Sequence, residues 1–182
     1  MKILGIDPGI RGGLAVVSVE NETVPVLVDA IDIPAIGVGA KERVDALAIR
    51  GWIQSHQPAH AVIERAGSMP KQGVASSYKY GRAVGAIEAT LVLCTIPCTI
   101  VEPSVWKKVH GLRGNDKELS RQHALQRFPA AHALLARRKD HGRAEAALIA
   151  LWSALMNAQP MRIISADERL AEKSVRMNKR KI

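Results

Sequence analysis

Residues 2–17, KILGIDPGIRGGLAVV, decide how this chain folds. KILGID is almost continuously apolar and ends in Asp7, with the pair Pro8-Gly9 directly behind it. Such a run reads as a buried strand, and Pro-Gly supplies a tight turn that holds the acid at the strand's end. A second apolar run follows at residues 12–19 (GGLAVVSV). After the polar bend Asn21-Glu22 a third lies around 24–33. Three strands this close in sequence are expected to connect as a β-meander.

Beyond the meander the period changes. In residues 41–56, Val44, Leu47, Ala48, Trp52 and Ile53 recur at three- and four-residue spacing, which predicts a helix that Gln57-Pro58 stops. Residues 61–64 (AVIE) read as a brief strand ending in Glu64, and 67–73 as an exposed loop rich in Gly, Ser and Pro. A helix is predicted over 75–93. Its small residues Gly81, Ala83, Gly85, Ala86 and Ala89 suit close contact with either a sheet or another helix. A fifth strand is expected at 95–101, and a short helix opened by Pro103-Ser104 carries Trp106, Lys107 and Lys108. After a loop at 111–115 comes a helix over 116–127, with Asp116 favourably placed at its start. An Ala-rich helix over 141–158 completes the order βββαβαβα. That order implies one α/β domain, a central five-stranded mixed sheet flanked by helices, over residues 1–160. Residues 161–182 read as a basic C-terminal helix or tail.

The 182 residues fit one domain, 47% hydrophobic and 24% charged. One Phe, two Tyr and three Trp leave the core to Ala, Val, Leu and Ile. A net charge of +9 implies a polyanionic partner, most simply nucleic acid. Cys94 and Cys98 lack Cys-x-x-Cys spacing and a nearby His cluster, so zinc is not expected. They read as reduced thiols of a cytoplasmic protein. No leader is visible, and no apolar stretch reaches the ~18–20 residues needed to cross a bilayer.

The chemistry lies in the acids. Asp7 and Glu64 each end a strand, so neighbouring strands would bring their carboxylates together. Convergent carboxylates repel unless a proton or cation joins them, and hard cations such as Mg²⁺ and Mn²⁺ favour oxygen ligands. Glu145 stands alone in the apolar stripe of the last helix, where an acid needs a compensating partner. His141 lies four residues before it and shares its helical face. Asp140 lies just outside the helix, either turned toward the same centre or serving as an N-cap.

The blocks ILGIDPGIRGGLAVV, AVIERAGSMPKQGVASSYKYGRAVGAIEATL, IVEPSVWKKVHGLRGNDKELSRQHALQRFP and KDHGRAEAALIALW together resemble RuvC-type Holliday junction resolvases of the ribonuclease H-like superfamily, in the right order over roughly residues 2–155. The last block is similar to compact bacterial and phage members, which would act in the bacterial cytoplasm. The resemblance implies a Mg²⁺- or Mn²⁺-dependent endodeoxyribonuclease with two ions ~4 Å apart. Asp7 would bridge both ions, Glu64 bind one and Glu145 the other, with His141 or Asp140 completing the set. The family places an acid or His three residues before the final acid; that position here is Gly142.

Lys117 matches the family's basic residue at the scissile phosphate, and Lys107 or Lys108 a second. The loop with Met69 and Lys71 matches the region that wedges into a junction, with Met69 in place of an aromatic. Tyr78 and Tyr80 are placed either to stack on bases or to pack. The resemblance further implies a homodimer acting on four-way DNA junctions, with branch-migration proteins as candidate partners. A broader branched-DNA or RNA–DNA hybrid nuclease is the alternative. A non-catalytic DNA-binding module, or an actin-like ATPase suggested by GIDPGIRGG, is a more distant one.

Overall fold

The computed structural model describes residues 1–20, 24–65, 67, 73–112, 114 and 116–156. In chain order the strands are β1 (Lys2–Asp7), β2 (Gly13–Ser18), β3 (Val26–Asp32), the short pair β4 (Ala35–Ile36) and β5 (Arg43–Val44), then β6 (His60–Glu64) and β7 (Cys98–Val101). The helices are α1 (Ala46–His56), α2 (Val74–Leu93), α3 (Pro103–Val109), α4 (Lys117–Arg127), α5 (His132–Leu135) and α6 (His141–Met156). The main sheet has the order β3-β2-β1-β6-β7. Its first three strands form the expected antiparallel meander, and β6 and β7 join in parallel. The five-stranded mixed sheet flanked by helices is therefore as expected.

Alternation along the strands divides the apolar residues between two cores. Ile3, Ala15, Val17 and Val62 face α6, α4 and Trp106 of α3. Leu4, Ile6, Leu14, Val16, Ala61 and Ile63 face α1 and α2. Side chains two apart share a face, so Asp7 follows Ile3 and Gly5 onto the α6 side, and Glu64 follows Val62. Gly5 is what allows α6 to lie directly over β1. A Cβ there would stand 2.0 Å from the Ala146 carbonyl oxygen and 2.7 Å from the Ala150 nitrogen. That close crossing carries Glu145, one residue before Ala146, toward the end of β1.

Two predicted boundaries moved by three residues or more. The helix expected over 41–56 begins at Ala46. Gly37 (φ +87°) and Gly39 (φ +60°) fold the preceding segment into the β4–β5 hairpin, and Val44 is buried from a strand. Asp45 then starts α1 by accepting from the Ala48 N–H at 3.0 Å. The strand expected from residue 95 begins at Cys98, because Thr95 (φ 55°) belongs to the turn that closes α2. The last helix begins at His141 and is described as far as Met156. Residues 161–182, and with them the expected basic tail, lie outside the described residues. Among the described residues no helix is long and apolar enough to cross a membrane.

His60 is buried in β6, with its Nε2 2.9 Å from Ser153 Oγ on α6, and burial lowers its pKa. A folded-state value below the unfolded one means that the unfolded chain takes up a proton first as pH falls. The contribution of His60 is thus complete above its unfolded pKa and lost as pH drops through the folded value. We expect the stability advantage of wild type over His60→Gln to shrink as pH falls from about 7.5 to 5, by up to about 1.4 kcal/mol per pH unit. Urea unfolding of both proteins across that window measures it; a pH-independent difference would contradict it.

Candidate active site

The parallel register sets Ile6 beside Ile63, so Asp7 and Glu64 emerge together from the carboxyl ends of adjacent strands. Pro8-Gly9 turns the chain away at once; Gly9 sits at φ +120° and its carbonyl accepts from the Gly12 N–H at 3.0 Å. With Glu145 from α6, the two acids line a cleft of about 580 Å³. Lys107 of α3, Lys117 of α4, Lys79 and Tyr80 of α2, and Arg11 and Glu42 also line it.

The carboxylates perturb one another. Burial, followed by the charges of Glu145 and Glu64, raises the Asp7 pKa well above the ordinary value, and Lys117 and Lys107 oppose the shift. Burial and the Glu145 charge raise Glu64, against a lowering hydrogen bond from Trp106. Tyr80 is pushed up to about 12 by burial and by the charges of Asp7 and Glu64. A cleft in which negative charge costs this much is suited to receive cations.

Each outer acid has its own donor. Trp106, one turn into α3, donates its indole N–H to Glu64 Oε2 at 2.7 Å. Ser120, buried on α4, donates to Glu145 Oε1 at 3.1 Å, and Lys107 Nζ stands 3.8 Å from the same oxygen. These partners hold the acids around the cleft. Among the described residues no three of His, Cys, Asp and Glu are drawn together as the ligands of one ion. The donor set Asp7, Glu64 and Glu145 is nevertheless entirely carboxylate oxygen, which suits Mg²⁺ or Mn²⁺ and not a thiolate-seeking metal.

The remaining candidates fall into separate places. His141 is partly buried at the start of α6, with Nε2 accepting from Lys117 Nζ at 3.3 Å beside the cleft. Asp140 does not line the cleft. It is fully buried, with Arg137 donating to both carboxylate oxygens through the side chain, at 2.7 to 3.2 Å, and to Oδ2 through the backbone N–H at 2.8 Å. Burial would raise its pKa, but these donors and the Arg143 charge outweigh it and hold the carboxyl below its usual range. The N-cap expectation is corrected in the same way, since the side chain reaches back to Arg137 and not forward into α6. Gly142 has no room for a ligand: a Cβ would lie 2.7 Å from the Gly12 carbonyl carbon and 2.9 Å from the Arg11 oxygen.

Of the lysine pair, Lys107 enters the cleft, while the exposed Lys108 lines a neighbouring cavity of about 600 Å³ with Lys107. Tyr78 is 68% exposed and does not line the cleft, whereas Tyr80 does. Met69 and Lys71 lie outside the described residues. The roles of Trp106 and Ser120 were not legible in the sequence. A Trp beside two lysines and a Ser in a polar helix carry no spacing signal, and only α3 and α4 packing on the sheet aims them at acids.

A five-stranded mixed sheet with carboxylates at adjacent strand ends and on a crossing helix defines the ribonuclease H-like class of nuclease. The family described as crossover junction endodeoxyribonuclease RuvC matches residues 3–128, and the chain belongs to that family. No curated protein matches the chain in sequence. Among solved structures it is similar to Thermus thermophilus RuvC in complex with Holliday junction substrate, at 22% identity and TM-score 0.64, covering 86% of this chain and 96% of that one. It is also similar to the yeast mitochondrial Holliday junction resolvase Ydc2, at 16% identity and TM-score 0.53, covering 85% and 81%. The Fowlpox virus resolvase, solved with Holliday junction DNA, follows at 12% identity and TM-score 0.52, covering 86% and 99%. At these identities the structural likeness establishes the shared fold.

Proposed function

We propose that the protein is a structure-selective endonuclease that cuts four-way DNA junctions by metal-dependent phosphodiester hydrolysis. The observation that carries this reading is the meeting of Asp7, Glu64 and Glu145 in one cleft with Lys107 and Lys117, in a chain of the RuvC family. Asp7, Glu64 and Glu145, joined by His141, would hold two Mg²⁺ or Mn²⁺ ions, which when bound lower the pKa of the attacking water and stabilise the leaving 3′ oxygen. Lys117 and Lys107 offset negative charge that grows on the phosphate during displacement. Lys117 also meets His141 Nε2, a contact that an ion bound through that nitrogen would replace. Arg11 and Lys79 extend the positive rim along which a DNA backbone would run.

The substrate test offers the full chain a four-way junction, a flap and an RNA–DNA hybrid with Mg²⁺. The junction is expected to be cut fastest, and preference for the hybrid would overturn the reading. Binding should weaken with salt at a log–log slope of about −0.9 per phosphate contacted. A salt-independent affinity would show that the basic rim is not the DNA footprint.

We further propose that the enzyme works as a homodimer, which presents two clefts to two symmetric strands. The face of α2 away from the sheet supports this: Gly81, Gly85 and Ala89 are exposed, and a Cβ at either glycine would meet nothing within 4 Å. Its opposite face, Ala83, Val84, Ile87 and Leu91, is already buried. Gly85→Lys is expected to yield a folded monomer by sedimentation, since the substitution removes a helix-weakening glycine. An unchanged dimer would place the interface elsewhere.

A further inference from the structure

Glu64 and Glu145 are both pinned through one oxygen. The Trp106 ring is fully buried, so its indole N–H, a group that only donates, has little freedom to leave Glu64 Oε2 at 2.7 Å. Ser120 Oγ is 3.1 Å from Glu145 Oε1 and 3.5 Å from its other acceptor, the Asp116 carbonyl; Lys107 Nζ crowds the same Oε1. Among the described residues, the second oxygen of each acid carries no such donor. A carboxylate held this way offers a cation one oxygen, not two. Mg²⁺ takes single oxygens at near-octahedral positions and keeps waters, whereas Ca²⁺ accepts bidentate carboxylates in a looser shell.

We propose that Trp106 and Ser120 are positioning residues that make Glu64 and Glu145 one-oxygen ligands and thereby set the site's preference for Mg²⁺ over Ca²⁺. This rests on the metal-site reading above. Neither residue lines the cleft; each acts through the carboxylate it holds. Hydrogen-bond partners of metal ligands commonly change affinity by about 10–100-fold when removed.

The test is calorimetric titration of the full-length protein, free of DNA, with MgCl₂ and with CaCl₂. Trp106→Phe and Ser120→Ala are each expected to weaken Mg²⁺ binding about ten-fold or more while Ca²⁺ binding changes under about three-fold, narrowing the discrimination. Equal losses for both ions would mark general damage to the site and overturn the proposal, as would unchanged affinities. A wild-type protein that binds neither ion would instead sink the metal-site reading itself.

Because Trp106→Phe opens space in the core, a second measurement uses the unaltered fold. In ¹⁵N-labelled wild type, MgCl₂ should shift the Trp106 indole resonance. That of Trp152, a buried N–H without a partner among the described residues, should stay in place. Glu64→Gln should abolish the shift. An indole signal of Trp106 indifferent to Mg²⁺ in a protein that binds Mg²⁺ would refute the role.

Discussion

Asp7→Asn is expected to abolish strand cutting while leaving junction binding intact or tighter. Asp7 is the acid on which the others converge: it ends β1, lies between Glu64 on β6 and Glu145 on α6, and feels the charge of both. Asparagine keeps the shape but loses the charge that would help hold a cation in the cleft. The loss should be on the order of a thousand-fold or more, since charge stabilisation by bound cations is worth several kcal/mol and each tenfold is about 1.4 kcal/mol. DNA binding moves the other way, because one negative charge leaves a cleft that must receive phosphates. The metal-free variant should also unfold at a higher temperature than wild type, since the repulsion and burial of that charge oppose folding. Cleavage and binding assays on one junction, with a melting curve in chelator, check all three. If Asp7→Asn cuts at the normal rate, the site assignment falls.

Gly142→Asp is the second large effect, and it tests why the ligand pattern departs from the family's. Residue 142 lies three before Glu145, where the family carries an acid or His. Restoring an acid there would complete the pattern on paper. In the structure it should strongly destabilise the protein. The first turn of α6 is pressed onto the chain between β1 and β2, with Gly142 against Gly12 and Gly13 against the Gly142 and Arg143 backbone. A Cβ under 3 Å from backbone atoms on a neighbouring element has no rotamer to escape into. The expected cost is about 3 kcal/mol or more, a large part of a typical domain's stability. It should appear as poor soluble yield or a lowered denaturation midpoint. A stable Gly142→Asp protein would show that α6 can lift from the β1–β2 turn, and would reopen position 142 as a ligand site.

Much of the fold is legible in the sequence. KILGIDPG declares itself through apolar continuity, an acid at its end and a turn pair that permits little else, and the meander, β6 and the last helix follow from similarly local signals. Strand alternation then obliges Asp7 and Glu64 to share a face once β1 and β6 are neighbours. The hairpin before α1 escaped because helical spacing in 41–56 was imitated by Val44, a residue buried from a strand.

Asp140 shows the limit most clearly. By sequence it stood just behind His141 as the fourth ligand, the two lying five and four residues before Glu145. Neither side chain lines the cleft, and what distinguishes them is a buried pairing with Arg137 and Arg143, which takes up both carboxylate oxygens of Asp140, while His141 meets the cleft residue Lys117. Spacing along the chain says which residues can share a helix face. It does not say which acid has already been neutralised by an arginine, nor that Trp106 and Ser120 will meet Glu64 and Glu145 from helices 42 and 25 residues away. Those are consequences of packing α3, α4 and α6 on one sheet face. The carboxylates were thus readable from local pattern, and their partners only from the tertiary structure, because side-chain hydrogen bonds are chosen by proximity in space among groups the chain order keeps apart.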